Sequence, residues 1–174
     1  MKIMVFGFSG SGKSTISKRI SEEYSLPILY IDQTLYYENW VKKSKETTYK
    51  EIKEFIEKEQ NWIIDGNATN NLFEQRAALA DKIIFMNFSR FQCYKNALNR
   101  YKSHKEKDRE SRPLGCKEKF DLSFQFWILF KGRIGKRIKK FKNITQKYQQ
   151  KCIILKNKKD VEFFYKNMDI LLLK

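Results

Sequence analysis

The sequence contains few of the residues that stabilise disulfide-linked, metal-dependent or collagen-like proteins. Its 174 residues include three cysteines, Cys93, Cys116 and Cys152, an odd number at wide spacings. This pattern excludes a disulfide framework and a zinc knuckle, and it predicts reduced thiols. With two prolines and seven glycines, the chain is also neither collagen-like nor of low complexity.

Long apolar runs are also missing. No stretch approaches the roughly 20 apolar residues that a membrane-spanning helix needs. Met1 and Lys2 lead into a short apolar strand and not into the apolar segment of a secretion signal. Hydrophobic residues nevertheless make up 41% of the chain, which is enough for a buried core. We therefore expect a single cytoplasmic domain over residues 1–174 that does not associate with membranes, and the oligomeric state stays open.

Acidic residues are scarce in the second half of the chain. Residues 1–89 contain 12 basic and 12 acidic side chains, whereas residues 90–174 contain 24 and 8. The second half therefore contributes the whole net charge of +16. Such an imbalance predicts an anionic partner, either the phosphates of a nucleotide or the backbone of a nucleic acid. A lysine-rich surface that is simply solvated is the alternative.

Strand-like and helix-like segments alternate along the chain. The predicted strands are 2–6, 28–31, 62–64, 82–88 and 152–155. The predicted helices are 13–24, 46–60, 70–80, 90–103, a long helix that ends near residue 150, and a last helix N-capped by Asp160. This alternation predicts an α/β protein with a parallel sheet that helices cover on both faces. The polar segment 104–119 is predicted to be a loop.

A phosphate-binding loop is the strongest motif in the sequence. Residues 7–14 read GFSGSGKS and match G-x-x-x-x-G-K-S/T, with a strand before them and a helix after them. Glycines let the backbone N–H groups turn towards phosphate oxygens, and the helix N-terminus adds partial positive charge. Lys13 is expected to reach the β- and γ-phosphates and Ser14 to bind Mg²⁺. The predicted nucleotide-binding residues here are Gly7, Ser9, Gly10, Ser11, Gly12, Lys13, Ser14 and Thr15.

Two aspartates follow predicted strands. Asp32 comes after the second strand and Asp65 after the third, at the sheet edge where α/β proteins bind ligands. We assign Asp65 to the Mg²⁺ site, and Asp32 to a proton-accepting or acceptor-contacting role. The alternative is that each carboxylate only caps the helix that follows it.

Arginines in the second half could stabilise a transferring phosphoryl group. Arg109 and Arg112 lie in the predicted loop, and Arg133 and Arg137 are predicted to share one face of the next helix. All four are candidate catalytic residues, although plain solvation is the alternative for each of them. Arg100, at the end of the preceding helix, is expected to stack on the nucleotide base.

Several segments beyond the phosphate loop resemble one family over nearly the whole chain. The chain resembles the adenylate-kinase-related P-loop kinases, specifically the bacterial group named for DNA topology modulation. The matching segments are residues 2–5 with the phosphate loop, 30–32 with Trp40 and Val41, 62–67, 80–85, Ser89 and Arg90, 112–116, and 160–164.

This resemblance implies a three-layer P-loop NTPase fold with five parallel strands in the order 2-3-1-4-5. It also implies an acceptor-binding region at about 33–60, a lid at about 104–119, and ATP with Mg²⁺ at Asp65. Adenylate kinases read Asp-Gly-Phe-Pro-Arg where residues 65–69 read DGNAT, so the arginine that grips the acceptor phosphate is absent. We expect Arg76 or Arg90 to replace it. The predicted acceptor-binding residues are Asp32, Trp40, Asn67, Arg76 and Arg90.

Two functions are consistent with these features. The first is a kinase that transfers the γ-phosphoryl group of ATP–Mg²⁺ to a nucleotide, a nucleoside or another small acceptor. The second is an ATP-binding regulator associated with nucleic acid, which uses ATP binding or hydrolysis as a switch. The basic half and its interleaved aromatic residues favour the second function. These aromatic residues are Tyr94, Tyr101, Phe141 and Tyr148.

Overall fold

A five-stranded parallel sheet forms the centre of the protein. The computed structural model describes residues 1–104 and 110–173. The strands pair in the order β2-β3-β1-β4-β5, which confirms the order that the resemblance implied. They are apolar along their whole length because helices cover both faces of a parallel sheet. The strands are β1 (Lys2–Gly7), β2 (Ile28–Tyr30), β3 (Trp62–Asp65), β4 (Lys82–Met86) and β5 (Cys152–Leu155).

The central strand, β1, fixes the register of its neighbours. Lys2 lies opposite Trp62 of β3, and Ile3 lies opposite Lys82 of β4. Because all the strands are parallel, their carboxyl ends meet at one edge of the sheet. Gly7 ends β1 there and Asp65 ends β3. The phosphate loop and the Asp65 carboxylate therefore begin side by side.

Nine helices surround the sheet in the described part of the chain. They are α1 (Lys13–Tyr24), α2 (Ile31–Leu35), α3 (Lys45–Lys58), α4 (Phe73–Leu79), α5 (Arg90–His104), α6 (Leu122–Leu129), α7 (Lys136–Lys147), α8 (Lys158–Lys166) and α9 (Met168–Leu173). Three-residue 3₁₀ turns lie at 38–40, 131–133 and 149–151. Of the helices described, none is both long enough and apolar enough to span a membrane.

An aromatic cluster joins the sheet to α4 and α7. Phe6 of β1 stacks on Phe85 of β4 with ring centroids 4.8 Å apart. Phe141 of α7 lies 4.9 Å from Phe6, and Phe73 of α4 completes the group at 5.4 Å from Phe6. Aromatic pairs at these distances add to the free energy gained from burial alone.

The predicted long helix that ends near residue 150 is wrong, because two glycines interrupt it. Gly135 adopts φ of +77°, a left-handed conformation that side chains disfavour, and it directly precedes α7. At Gly132 a Cβ atom would lie 2.7 Å from the carbonyl oxygen of Trp127, so only glycine fits there. Arg133 consequently lies in a 3₁₀ turn and Arg137 in α7, and the two do not share a helix face.

Two predicted helix starts also differ from the structure, and one short helix was not predicted. Asn157, not Asp160, caps α8: the Asn157 side chain accepts a hydrogen bond from the Asp160 N–H at 3.0 Å. Asp160 instead accepts from the N–H of Lys156 at 2.7 Å, so the two side chains cap one helix end reciprocally. Helix α4 begins at Phe73 rather than at residue 70. The short helix α2 was not predicted, and Asp32 lies inside its first turn rather than at its N-cap.

Candidate active site

The phosphate loop is formed by backbone conformations that need glycine. Gly10 and Gly12 have φ values of +78° and +93°. A Cβ atom at Gly10 would lie 2.3 Å from the carbonyl oxygen of Cys93, so α5 packs directly against the loop. Asn96 of α5 donates a hydrogen bond to the Gly10 carbonyl at 3.0 Å. The loop is therefore held open at the N-terminus of α1, where anions bind readily.

Lys13 lies within the phosphate loop, and its pKa depends on the charges of both predicted carboxylates, Asp65 and Asp32. Its ammonium group donates a hydrogen bond to the carbonyl of Phe8 at 3.1 Å. Burial lowers the pKa of Lys13, and the charges of Asp65 and Asp32 oppose that shift. The structure thus brings these three predicted residues into one electrostatic neighbourhood. Ser11 lies beside them, and its buried hydroxyl has no hydrogen-bond partner among the described residues.

The residues around Ser14 and Asp65 fit a magnesium–nucleotide complex. Ser14 lies in the first turn of α1, and Asp65, only 3% exposed, is paired in register with Val5 of β1. Both offer oxygen atoms, which Mg²⁺ prefers, and a nucleotide would supply further phosphate oxygens. Asp65 precedes a loop at 66–72 and Asp32 lies within α2, so neither side chain is the N-cap of a helix.

The loop after β3 is bonded to the phosphate loop through Asn67. The Asn67 carbonyl oxygen accepts from the N–H of Gly7 at 3.0 Å, and its amide group donates to the Gly7 carbonyl at 2.9 Å. Both hydrogen-bonding groups of the side chain thus contact the first glycine of the motif. The role of Asn67 in binding the acceptor stays a prediction.

Arg76 of α4 is completely buried beneath the same loop. Its guanidinium donates to the carbonyls of Gly66, Asn67 and Ala68 at 3.3, 2.8 and 3.3 Å. It lies 5.4 Å from the ring of Phe73, and burial lowers the pKa of Arg76 to about 9. The geometry makes Arg76 a support for the loop, and its contact with an acceptor stays a prediction.

The described part of the predicted lid, residues 110–119, is hydrogen-bonded to the segment 33–40. Gln33 donates to the carbonyls of Glu110 and Arg112, the latter at 3.4 Å. The backbone N–H of Trp40 donates to the Cys116 sulfur at 3.2 Å, and the Trp40 indole donates to the Lys117 carbonyl at 2.9 Å. We call this set of hydrogen bonds the lid clasp. The Cys116 thiol completes it by donating to the carbonyl of Tyr37 at 3.4 Å.

A buried glutamate of the lid, Glu118, binds two predicted arginines. Arg100 lies 2.6 Å from one Glu118 carboxylate oxygen, and Arg112 lies 3.6 Å from the other. The positive charge of Arg100 also lowers the pKa of Lys13 after the larger effect of burial, so this group lies near the phosphate loop. Sequence reasoning did not find Glu118, and Arg109 lies outside the described residues.

Arg133, Arg137 and Arg90 form a second basic group beside the phosphate loop. The Arg133 guanidinium lies 3.8 Å from the ring centroid of Phe8 and donates to the Phe88 carbonyl at 2.9 Å. Burial lowers the pKa of Arg133 and Arg137, and the positive charges of neighbouring arginines lower them further. The structure places Arg90 in this group, 5.9 Å from the ring of Phe130. Its contact with an acceptor stays a prediction.

The cavity formed by the described residues lies away from the candidate active site. A cavity of about 840 Å³ opens at the amino edge of the sheet, where Met1, Lys82 and Lys151 line it. The predicted nucleotide-binding and acceptor-binding residues do not line this cavity. The chemistry of the phosphate loop therefore identifies the candidate site better than the volume of the cavity does.

Comparison with known proteins gives a likeness in structure only. No family model matches the sequence, and no curated protein matches it. Shikimate kinase from Bacteroides thetaiotaomicron superposes with a TM-score of 0.55 at 16% identity, covering 100% of this chain and 99% of that one. The fold is that of the P-loop kinases. A deoxyadenosine kinase from M. mycoides matches at a TM-score of 0.45 and 19% identity, covering 98% of this chain and 100% of that chain.

The P-loop kinase fold agrees with the position of the site. The carboxyl ends of β1 and β3 meet at one edge of the sheet, where α/β proteins commonly bind ligands, and Gly7, Lys13 and Asp65 lie at that edge. The membership in the group named for DNA topology modulation, which the sequence suggested, is not shown.

Proposed function

We propose that this protein is an ATP-dependent kinase of the cytoplasm that phosphorylates a small acceptor. One observation carries the proposal. Lys13 lies half-buried at the N-terminus of α1, within the loop that the motif predicted, where Asp65 and Asp32 act on its charge. Phosphoryl transfer depends mainly on positioning and on the stabilisation of charge, and this arrangement can provide both.

Each residue of the loop has a distinct role in the proposal. The backbone N–H groups of residues 9–15 hold the phosphates, and Lys13 neutralises the β- and γ-phosphates. Ser14 and Asp65 hold Mg²⁺, which draws negative charge away from the transferring group when it is bound. Asp32, exposed at the same sheet edge, accepts the acceptor's proton or orients its hydroxyl.

The proposed role of the arginines is to stabilise the negative charge that develops during phosphoryl transfer. Glu118 of the predicted lid pairs with Arg112 and with Arg100 of α5, whose charge acts on Lys13, and Arg133 lies over the ring of Phe8. A preorganised cation needs no reorientation at the moment of reaction. The predicted stacking of Arg100 on the base and the catalytic roles of Arg109 and Arg137 belong to the same proposal.

The acceptor is proposed to bind between the lid clasp and the loop after β3. Trp40 of the clasp and Asn67 of the loop border this region, together with Asp32. A nucleotide, a nucleoside or another small molecule with a free hydroxyl or phosphate is the proposed acceptor class. A closed lid would exclude water from the transfer.

The decisive experiment is ATP turnover with Mg²⁺ against a panel of nucleosides, nucleoside monophosphates and small metabolites. We expect one acceptor to raise turnover well above the background. Lys13→Ala is the inactive variant, and Lys166→Ala, an exposed lysine of α8, is the matched control. Tight ATP binding without turnover on any acceptor would contradict the proposal.

The positive charge of residues 90–174 favours a second candidate, a nucleic-acid-associated regulator that uses ATP as a switch. Duplex and single-stranded DNA therefore belong in the same panel. Turnover that only DNA raises would favour the regulator over the kinase.

A further inference from the structure

An exposed aromatic surface follows the lid. Helix α6 packs on α5, where Gln125 accepts a hydrogen bond from Tyr94 at 2.9 Å, and Ile128 of α6 is buried in the core. The opposite side of α6 is therefore turned to solvent. We call Phe126, Trp127 and Phe130 the aromatic platform; these side chains are 48%, 37% and 48% exposed. Large apolar side chains exposed together usually indicate an interaction site.

Each ring of the platform has a cation over its face. Lys131 lies 5.9 Å from the centroid of Phe126, Arg90 lies 5.9 Å from that of Phe130, and Arg137 lies 4.6 Å from that of Trp127. The Phe126 and Phe130 rings are themselves only 5.0 Å apart and tilted by 36°. The platform is thus an alternation of rings and positive charges.

The surrounding sequence adds positive charge and no negative charge. No acidic residue occurs between Asp121 and Asp160, whereas lysines and arginines recur throughout this stretch. A ligand for this surface must therefore have flat apolar groups for the rings and regularly spaced negative charges for the cations.

We infer that the aromatic platform binds single-stranded nucleic acid. Unpaired bases stack on Phe126, Trp127 and Phe130, and phosphates pair with Lys131 and Arg90. Stacking on aromatic side chains with cations beside them is the general mode of binding single strands with little sequence preference. Duplex DNA binds more weakly, because its bases are already stacked and paired and cannot reach the rings.

The observations fit other partners less well. A helix that lies on a membrane needs a charged face opposite an apolar one, yet α6 has no charged residue. The cations lie over the rings rather than around a purely apolar tip, so insertion into lipid would desolvate them. A second copy of the chain would bring two surfaces of the same charge together.

The rings of the platform lie outside the phosphate loop, and the platform shares Arg90 and Arg137 with the basic group beside that loop. Arg133 lies between them, since it contacts Phe8 of the loop and its pKa responds to the charge of Arg90. The inference does not depend on phosphoryl transfer, and it gives the second candidate function a specific surface and ligand class.

The test is fluorescence anisotropy with labelled oligo(dT) and oligo(U) of about 12 nucleotides, within the usual range of site sizes. The Phe126→Leu/Phe130→Leu double variant keeps apolar bulk but removes the stacking rings, and we expect it to weaken binding at least about tenfold. Phe163→Leu, a 62% exposed aromatic residue on α8, is the matched control and should bind normally.

A charge variant tests the phosphate contacts separately. Lys131→Gln should make the dependence of affinity on salt shallower by about 0.7 in the logarithmic plot, the value for one phosphate of a single strand. The control Lys166→Gln should leave the slope unchanged. Circular dichroism and ATP binding of every variant confirm that the fold is intact.

Three results would overturn the inference. The first is equal loss of affinity in Phe163→Leu and in the double variant. The second is binding of anionic lipid vesicles, but not of oligonucleotides, that the double variant abolishes. The third is a change of oligomeric state in the double variant without any loss of oligonucleotide binding. ATP turnover of the double variant, measured in parallel, separates failure of this inference from failure of the proposed kinase activity.

Discussion

A buried arginine supports the loop that in turn holds the start of the phosphate loop. Arg76 bonds to three successive carbonyls after β3, and the Asn67 side chain within that segment bonds to Gly7. Hydrogen bonds from a charged donor are stronger than neutral ones, and they are costly to lose in the interior. The position of the phosphate loop therefore depends on α4 through Arg76 and Asn67.

Removing the Arg76 guanidinium should destabilise the whole protein. We expect Arg76→Met to lower the free energy of unfolding by about 2–4 kcal/mol, because buried carbonyls lose their donors. Urea denaturation measures this change. Arg19→Met, an exposed arginine of α1, is the control and should change stability by less than about 0.5 kcal/mol. Equal effects of the two substitutions would show that Arg76 does not support the loop.

The pKa of Lys13 predicts how ATP binding depends on pH. Burial holds this pKa below its usual 10.5, and phosphates favour the charged ammonium form. As pH rises through the lowered pKa, the free protein loses the proton, so ATP affinity should fall and binding should take up protons. Calorimetry at alkaline pH in two buffers of different ionisation heat measures this uptake. Lys13→Arg stays charged and should show none, and equal uptake by both proteins would assign the proton elsewhere.

At the scale of the elements, the lid clasp makes one thiol a reporter of lid opening. Burial raises the pKa of Cys93 and raises the pKa of Cys152 to about 11, so both thiols should react slowly at neutral pH. Cys116 is also buried, within the clasp, and we expect opening of the predicted lid to expose it. Its rate of modification should therefore follow the opening of the lid.

Trp40→Phe tests this expectation because it removes one hydrogen bond of the clasp, from the indole to the Lys117 carbonyl. We expect modification of Cys116 by a thiol reagent to become about 2–10 times faster, the effect of one neutral hydrogen bond. Peptide mapping by mass spectrometry identifies the modified cysteine. Trp127→Phe, outside the clasp, should leave the rate unchanged, and faster modification of Cys93 or Cys152 instead would indicate general loosening.

The elements differ in how far their sequence determines them. Strand β1 and the phosphate loop were predictable because an apolar run ends at a glycine-rich motif with few alternative conformations. The break between α6 and α7 was not, since the apolar spacing continues past Gly135 and only the close packing at Gly132 and the left-handed backbone at Gly135 end the helix. Asn157 and Asp160 are both good N-caps, and only the contacts of each show which one precedes the helix.

The residues of the candidate site also differ in how far the sequence alone identifies them. Lys13, Asp65 and Asp32 could be assigned from motif and strand ends, and the structure brings them together. Glu118 and the supporting role of Arg76 could not be predicted. Their partners lie on other elements, and no local pattern marks a charged residue that folding will bury.

At the scale of the whole molecule, a net charge of +16 should make stability depend on salt. Repulsion among the basic residues opposes the compact state, and added ions screen it. We expect the melting temperature to rise by a few degrees between about 0.01 and 0.3 M NaCl, where the Debye length falls from roughly 30 Å to below 8 Å. Differential scanning calorimetry measures the shift.

Lys13→Ala separates screening from anion binding at the phosphate loop. The variant should show the same rise, because screening acts on the whole surface. A melting temperature that does not rise with salt, in the protein or in the variant, would show that self-repulsion contributes little to stability.

The central position of β1 also determines when the sheet can finish folding during synthesis. The first strand of the chain pairs with β3, beginning at Trp62, and with β4, beginning at Lys82. Both of its neighbours are made after it, so in a growing chain on the ribosome one edge of β1 stays unpaired until β4 has emerged. Contacts between residues this far apart in sequence form slowly. The phosphate loop is therefore synthesised before both partner strands of β1 and is among the last segments to reach its final structure.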